Sequence, residues 1–130
     1  MTYELLVSTR KGLVIGRSED RERWDFSDTQ FMGWQIDYAV RDPRNGRLYV
    51  AASHMQWGPH LHRSDDDGAT WQEAPAPEFR GETYTFSDWD PATDSQLPPR
   101  THDASLARVW TIQPGPASRP GILYAGIDPA

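Results

Sequence analysis

The segment Ser64-Asp65-Asp66-Asp67-Gly68-Ala69-Thr70-Trp71 constrains the fold more than any other part of the chain. Short Ser and Asp side chains bond nearby backbone N–H groups and so fix a tight turn. Gly68 supplies a backbone conformation that other residues disfavour. Trp71 then opens the next strand and is expected to pack, largely buried, beneath the turn. Ser18, Asp20 and Trp24 echo the same spacing in a copy that is one residue shorter and has no turn glycine. The two serines stand 46 residues apart, close to the ~40–50 residues of one four-stranded repeat unit. A second echo joins Leu48-Tyr49-Val50-Ala51 to Leu123-Tyr124-Ala125-Gly126, each after a turn rich in Pro and Gly.

Between these turns the apolar residues come in short runs. Leu5–Val7, Gly12–Gly16, Gly33–Val40, Leu48–Ala52, His60–Arg63, a run from Trp71, Val109–Ile112 and Ile122–Gly126 read as strands. Asn45-Gly46 is a hairpin signal, because both residue types tolerate positive φ. No segment keeps a helical period over three turns. Residues 75–107 break the rhythm with repeated prolines and acidic residues, and read as an ordered insertion or a mobile loop. Six Trp, five Tyr and four Phe argue against a disordered chain. The formal charge is −6 and the basic residues are scattered, which leaves no stripe for nucleic acid. There is no cysteine for a disulfide or thiolate site, and no run long enough for a membrane helix. Residues 1–16 lack the apolar core of a signal peptide, so a soluble, cytoplasmic protein is expected.

The segment Ser64–Trp71 fits S-x-D-x-G-x-T-W at every specified position, with Ser64, Asp66, Gly68, Thr70 and Trp71 in the fixed places. It resembles the Asp box, or BNR repeat, of sialidases, sortilin-type receptors and propeller-type photosystem II assembly factors. The resemblance implies an all-β fold: a β-propeller fragment of about two to three four-stranded antiparallel blades. Blade one would cover about 1–33, blade two 34–74, an insertion 75–107, and the start of blade three 108–130. Because a propeller needs several blades to close, the chain reads as the N-terminal part of a longer protein, completed by its remaining blades. The Asp box is a structural staple in such families, so Asp65, Asp66 and Asp67 are not expected to be catalytic. Nor do they suit calcium: with Gly68 at the sixth position of an EF-hand loop, Arg63 would be the first ligand.

In this layout the Asp-box turns and the Asp42–Gly46 turn share one rim, and the ligand site lies on the other. Arg10, Lys11, Trp34, Asp37, His54, Trp57, His60, Arg100, His102, Asp103 and Arg108 are then the binding candidates. A sialidase-like glycosyl hydrolase would use an arginine cluster for the sugar carboxylate, since guanidinium donates two bonds at once. It would also use an acidic acid/base group and a Tyr–Glu nucleophile. Arg10, Asp37 and Asp103 are the catalytic candidates, but Arg10-Lys11-Gly12 stands where Arg-Ile-Pro would, and no Tyr–Glu pair can be assigned. The reading is therefore a glycan- or ligand-binding propeller related to exo-α-sialidases, with the chain itself inactive. A non-catalytic propeller that binds protein or assists assembly is the alternative. A third possibility, a metal site of His54, His60 and His62, lacks a partnering carboxylate at a convincing spacing, so no metal and no cofactor are expected.

Overall fold

A computed structural model describes residues 1–129. Among them there is no helix, and none therefore long and apolar enough to cross a membrane. The centre is a four-stranded antiparallel sheet made of β4 (Gln35–Arg41), β5 (Leu48–His54), β6 (Gly58–Ser64) and β7 (Gln72–Ala74), in that order. On one face of it lies a three-stranded sheet of β1 (Tyr3–Thr9), β2 (Gly12–Ser18) and β3 (Asp25–Phe26). On the other lies a two-stranded sheet of β12 (Leu106–Pro114) and β13 (Leu123–Pro129). The expectation of four strands in each unit therefore holds only for the central sheet.

Alternation along β5 explains the stacking, because successive side chains point to opposite faces. Leu48, Val50 and Ala52 point to the first sheet and join Leu13, Ile15 and Ile36 in one core. Ala51 points the other way and joins Val109 and Ile112 in a second. Val50, Ala51 and Ala52 are each 1% exposed, so the central sheet is covered on both faces. Burying a side chain such as Leu13 or Val50 contributes about 1.5–3 kcal/mol.

Pairing registers show an internal repeat. In β4–β5 the last pair is Arg41↔Leu48, and a bulge between Ile36 and Tyr38 leaves Asp37 as the extra residue. In β12–β13 the last pair is Pro114↔Leu123, and a bulge at the same distance leaves Trp110 as the extra residue. The first sheet follows a different part of the pattern. Its pair Tyr3↔Ser18 corresponds to Leu48↔Ser64, so β1, β2 and β3 match β5, β6 and β7. The strand missing from the first sheet is thus the counterpart of β4, at the edge of β1.

The serine turns lie together at one end. Ser64 is 2% exposed, and its Oγ accepts the Gly68 N–H at 2.9 Å while donating to Asp66 Oδ1 at 2.8 Å. Asp66 also accepts the Thr70 N–H (2.8 Å) and hydroxyl (2.5 Å). The shorter turn repeats the scheme: Ser18 Oγ accepts from Arg21 N, and Asp20 Oδ1 accepts from Glu22 N and Arg23 N. Arg21 (φ 66) takes the positive φ that Asp67 (φ 58) and Gly68 (φ 88) share in the longer turn, and its N–H bonds the serine as that of Gly68 does. Two details differ from expectation. Trp71 is only partly buried and precedes β7; its indole N–H reaches Gln30 Oε1, and its ring meets Phe31 edge-on at 4.9 Å. At the β4–β5 turn only Gly46 has positive φ (+77); Asn45 instead accepts the Arg47 N–H with its side chain.

That turn is tied to the third sheet. Asp42 is fully buried and holds Arg44 through two parallel bonds of 2.8 and 2.7 Å, and Arg44 donates onward to the carbonyls of Arg119 and Ile122. Within 75–107, residues 83–103 fold back on themselves. They form a nested hairpin in which β8 (Thr83–Phe86) pairs β11 (Arg100–Asp103), and β9 (Trp89–Asp90) pairs β10 (Ser95–Gln96). Asp90 caps the tip by accepting from Ala92 N and Thr93 Oγ1.

Candidate functional site

At the end opposite the serine turns, four segments converge: the β1–β2 turn, the loop before β4, the β5–β6 turn and the start of β12. They enclose a pocket of about 670 Å³ lined by Arg10, Gly33, Gln35, Ser53, His54, Met55, Gln56 and Arg108. Three of the sequence candidates, Arg10, His54 and Arg108, meet here.

Asp37 does not line the pocket but lies behind it, against three of its lining residues. As the bulged residue of β4 it is released from the pairing alternation, and bulges commonly re-aim a side chain in this way. Its side chain is 3% exposed. Oδ1 accepts from Gln35 Nε2 at 2.7 Å and lies 3.5 Å from Arg108 Nε, while Oδ2 accepts from the Ser53 hydroxyl. Arg108 is held a second time by stacking its guanidinium 4.6 Å over the Trp110 ring. Arg108 is thus braced between the Asp37 carboxylate and the Trp110 ring at the pocket wall. Arg10 is exposed at the mouth.

Beside the pocket an aromatic cluster centres on Trp34, whose ring lies 5.0 Å from His54, 5.6 Å from His60 and 6.1 Å from His62. Trp57 stacks on His54 and is 62% exposed. Both His60 ring nitrogens are engaged, one by Glu73 at 2.7 Å and one by the Trp57 carbonyl at 2.9 Å. The Glu73 carboxylate raises the His60 pKa, whereas burial lowers that of His62, whose Nδ1 is buried with no hydrogen-bond partner. His54 Nδ1 accepts the Gln56 N–H. The indole of Trp34 thus stands among the three histidines, and no group of three metal-ligating side chains converges among the described residues.

The remaining candidates lie elsewhere. Arg100, His102 and Asp103 are on β11 of the nested hairpin and do not line the pocket, because that hairpin pairs with itself. His102 stacks on Phe86 (4.8 Å) and Tyr84 (5.8 Å) instead. Lys11 belongs to the β1–β2 turn, where its carbonyl accepts the Gly33 N–H, and it too does not line the pocket. Gln35 and Ser53 were missed by sequence reasoning. Their signal is positional: each is polar and lies at or next to the end of its strand, and the two pair directly across β4 and β5.

No protein-family model matches the chain, and no curated protein matches it.

Proposed function

We propose that this chain belongs to an Asp-box β-propeller and binds an acidic, carboxylate-bearing glycan at the Arg10–Arg108 pocket, as a binding protein related to exo-α-sialidases. The propeller part is supported by the side-by-side sheets, the serine turns at one end and the bulge repeated at Asp37 and Trp110. The observation that carries the binding part is Arg108, held by buried Asp37 beside a second arginine in one pocket. A guanidinium fixed in place loses less entropy on engaging a carboxylate, and the fork geometry favours two parallel bonds.

Catalysis by the chain alone is not part of this reading. Both Asp37 oxygens are engaged inside the protein, by Gln35, Ser53 and Arg108, so the carboxylate positions Arg108 and presents no free oxygen to a substrate. No Tyr or Glu lines the pocket to form a nucleophile pair.

The test is a titration of the chain with N-acetylneuraminic acid, glucuronic acid and galactose, followed by NMR. The acids should shift the His54 and Arg108 resonances saturably, and galactose should not. Arg10→Ala and Arg108→Ala should each weaken binding by roughly tenfold, about the worth of one charged hydrogen bond. Equal binding of galactose, or unchanged affinity in both variants, would refute the proposal. The same chain should release no fluorogenic group from a sialoside above background. The protein-interaction alternative draws on the exposed aromatics of the nested hairpin, Phe86 (38%) and Trp89 (57%). Loss of a protein partner on Trp89→Ser, with sugar binding absent, would favour it.

A further inference from the structure

His60 has a partner at each ring nitrogen, and both partners are acceptors. Glu73 Oε1 lies 2.7 Å from Nδ1, and the Trp57 carbonyl lies 2.9 Å from Nε2. A carboxylate and a carbonyl have no hydrogen to give, so two N–H groups are needed to satisfy both. Imidazole has two only when it is protonated. The partners belong to different parts of the fold: Glu73 is on β7, and Trp57 is on the β5–β6 turn. Two further ties of that turn are internal to it, the Gln56 N–H to His54 Nδ1 and the stacking of Trp57 on His54. Met55 is exposed on its outside. Gly58 follows Trp57 at φ +75, with nothing within 4 Å of where a Cβ would lie, so the turn has room to shift.

We propose that His60 is a pH-operated latch on the β5–β6 turn, joining it to β7 when protonated and releasing it when neutral. The acceptors decide which bond is lost. The carboxylate is the stronger of the two, so it keeps the remaining N–H, on Nδ1. Nε2 then turns a lone pair toward the Trp57 carbonyl, and the two repel. The Glu73 carboxylate raises the His60 pKa, so the change falls above the ordinary histidine value of about 6.5. The other groups around the ring do not tie the turn to the sheet. His62, on the same strand with its ring 6.3 Å away, has its pKa lowered by burial and is neutral in this range. Trp34, from the loop before β4, meets His60 edge-on and carries no charge. His54, on β5, bonds within the turn. His54, Met55 and Gln56 line the pocket, so release of the turn reshapes it from one side. The inference rests on the latch itself and does not depend on what the pocket binds.

The experiment follows the intact, isotope-labelled chain by NMR from about pH 5 to about pH 9. The His60 ring nitrogen shifts should pass from imidazolium to the Nδ1–H tautomer, and the Trp57 carbonyl shift should change with the same midpoint. Glu73→Gln replaces an exposed side chain by one of the same shape. Its amide can donate to Nδ1, so neutral His60 keeps its N–H on Nε2 and the Trp57 carbonyl shift should stay flat. His54→Asn removes the other ring that titrates on the turn while leaving an acceptor for the Gln56 N–H. There the Trp57 response should persist. In that variant exchange of the Gln56 amide, after allowance for its intrinsic pH dependence, should quicken roughly fivefold, about the loss of one hydrogen bond. A neutral Nε2–H tautomer in the parent chain, a Trp57 carbonyl that does not follow His60, or an undiminished response in Glu73→Gln would each overturn the proposal. So would loss of the response in His54→Asn, which would make His54 the latch.

Discussion

Gly68 carries two constraints at once. Its φ is +88, and a Cβ there would lie 2.9 Å from Ile15 Cδ1, inside the core between the first two sheets. Gly81 shares the positive φ (+71), but nothing lies within 4 Å of it. Gly68→Ala should therefore cost about 2–4 kcal/mol, the backbone strain plus overpacking, and Gly81→Ala only about 1 kcal/mol. Urea unfolding of the two variants checks the difference, and equal losses would refute the packing contribution. Ser64→Ala should cost about 1–2 kcal/mol by leaving the buried Gly68 N–H without its acceptor. At this scale the sequence was informative where bonding is local. The box Ser64–Trp71 forms the predicted bonds because each partner lies within a few residues. Gln30, which receives the Trp71 indole from 41 residues away, had no such signal.

Among the elements, the short strands, the tight turns and the absence of helix could be read from the alternation of apolar residues. The number of strands per sheet could not, because the edge of β1 is open for a reason visible only once registers are paired. Nor could the nested hairpin within 75–107, whose strands are short and whose aromatic ladder of Tyr84, Phe86 and His102 forms only across the pair. Charged pairs between elements set the response to pH. Bonds from Arg41 lower the pKa of Glu4, and those from Arg44 lower that of Asp42. Thr70 and Ser64 together press Asp66 down to about 2. Each depressed carboxyl contributes stability that is complete above its ordinary pKa and is lost as pH falls through the lowered one. Acid unfolding of Asp66→Asn should therefore show a shallower dependence between pH 3.8 and about 2 than the parent, the remainder coming from carboxyls such as Glu4 and Asp42. His60 has the opposite sign. Its pKa is raised by Glu73, so that pair stabilises at low pH and stops doing so as pH rises through the raised value. Glu73→Gln should lose stability at about pH 5.5 and none at about pH 9, as urea midpoints would show.

For the molecule as a whole, the two outer sheets each leave one face uncovered. On the third sheet Trp110 (48%) and Tyr124 (54%) are exposed, in the repeat positions of Asp37 and Tyr49. Trp110→Ser with Tyr124→Lys should leave the urea midpoint nearly unchanged while lowering any concentration-dependent association, measured by sedimentation velocity. Unaltered association would show that this face is not the adhesive one. The pocket was half legible at this scale. Arg10, His54 and Arg108 came from placing loops on one rim, but Asp37 reaches its post beneath Arg108 through a bulge that no local pattern announces. The nested hairpin leaves and re-enters the body at one point, where the Ala104 N–H bonds the Glu82 carbonyl at 2.8 Å. A guest domain spliced in at its tip, between Ala92 and Asp94, would hang from adjacent ends and leave the three stacked sheets undisturbed. The molecule thus comes with a built-in attachment point for a reporter.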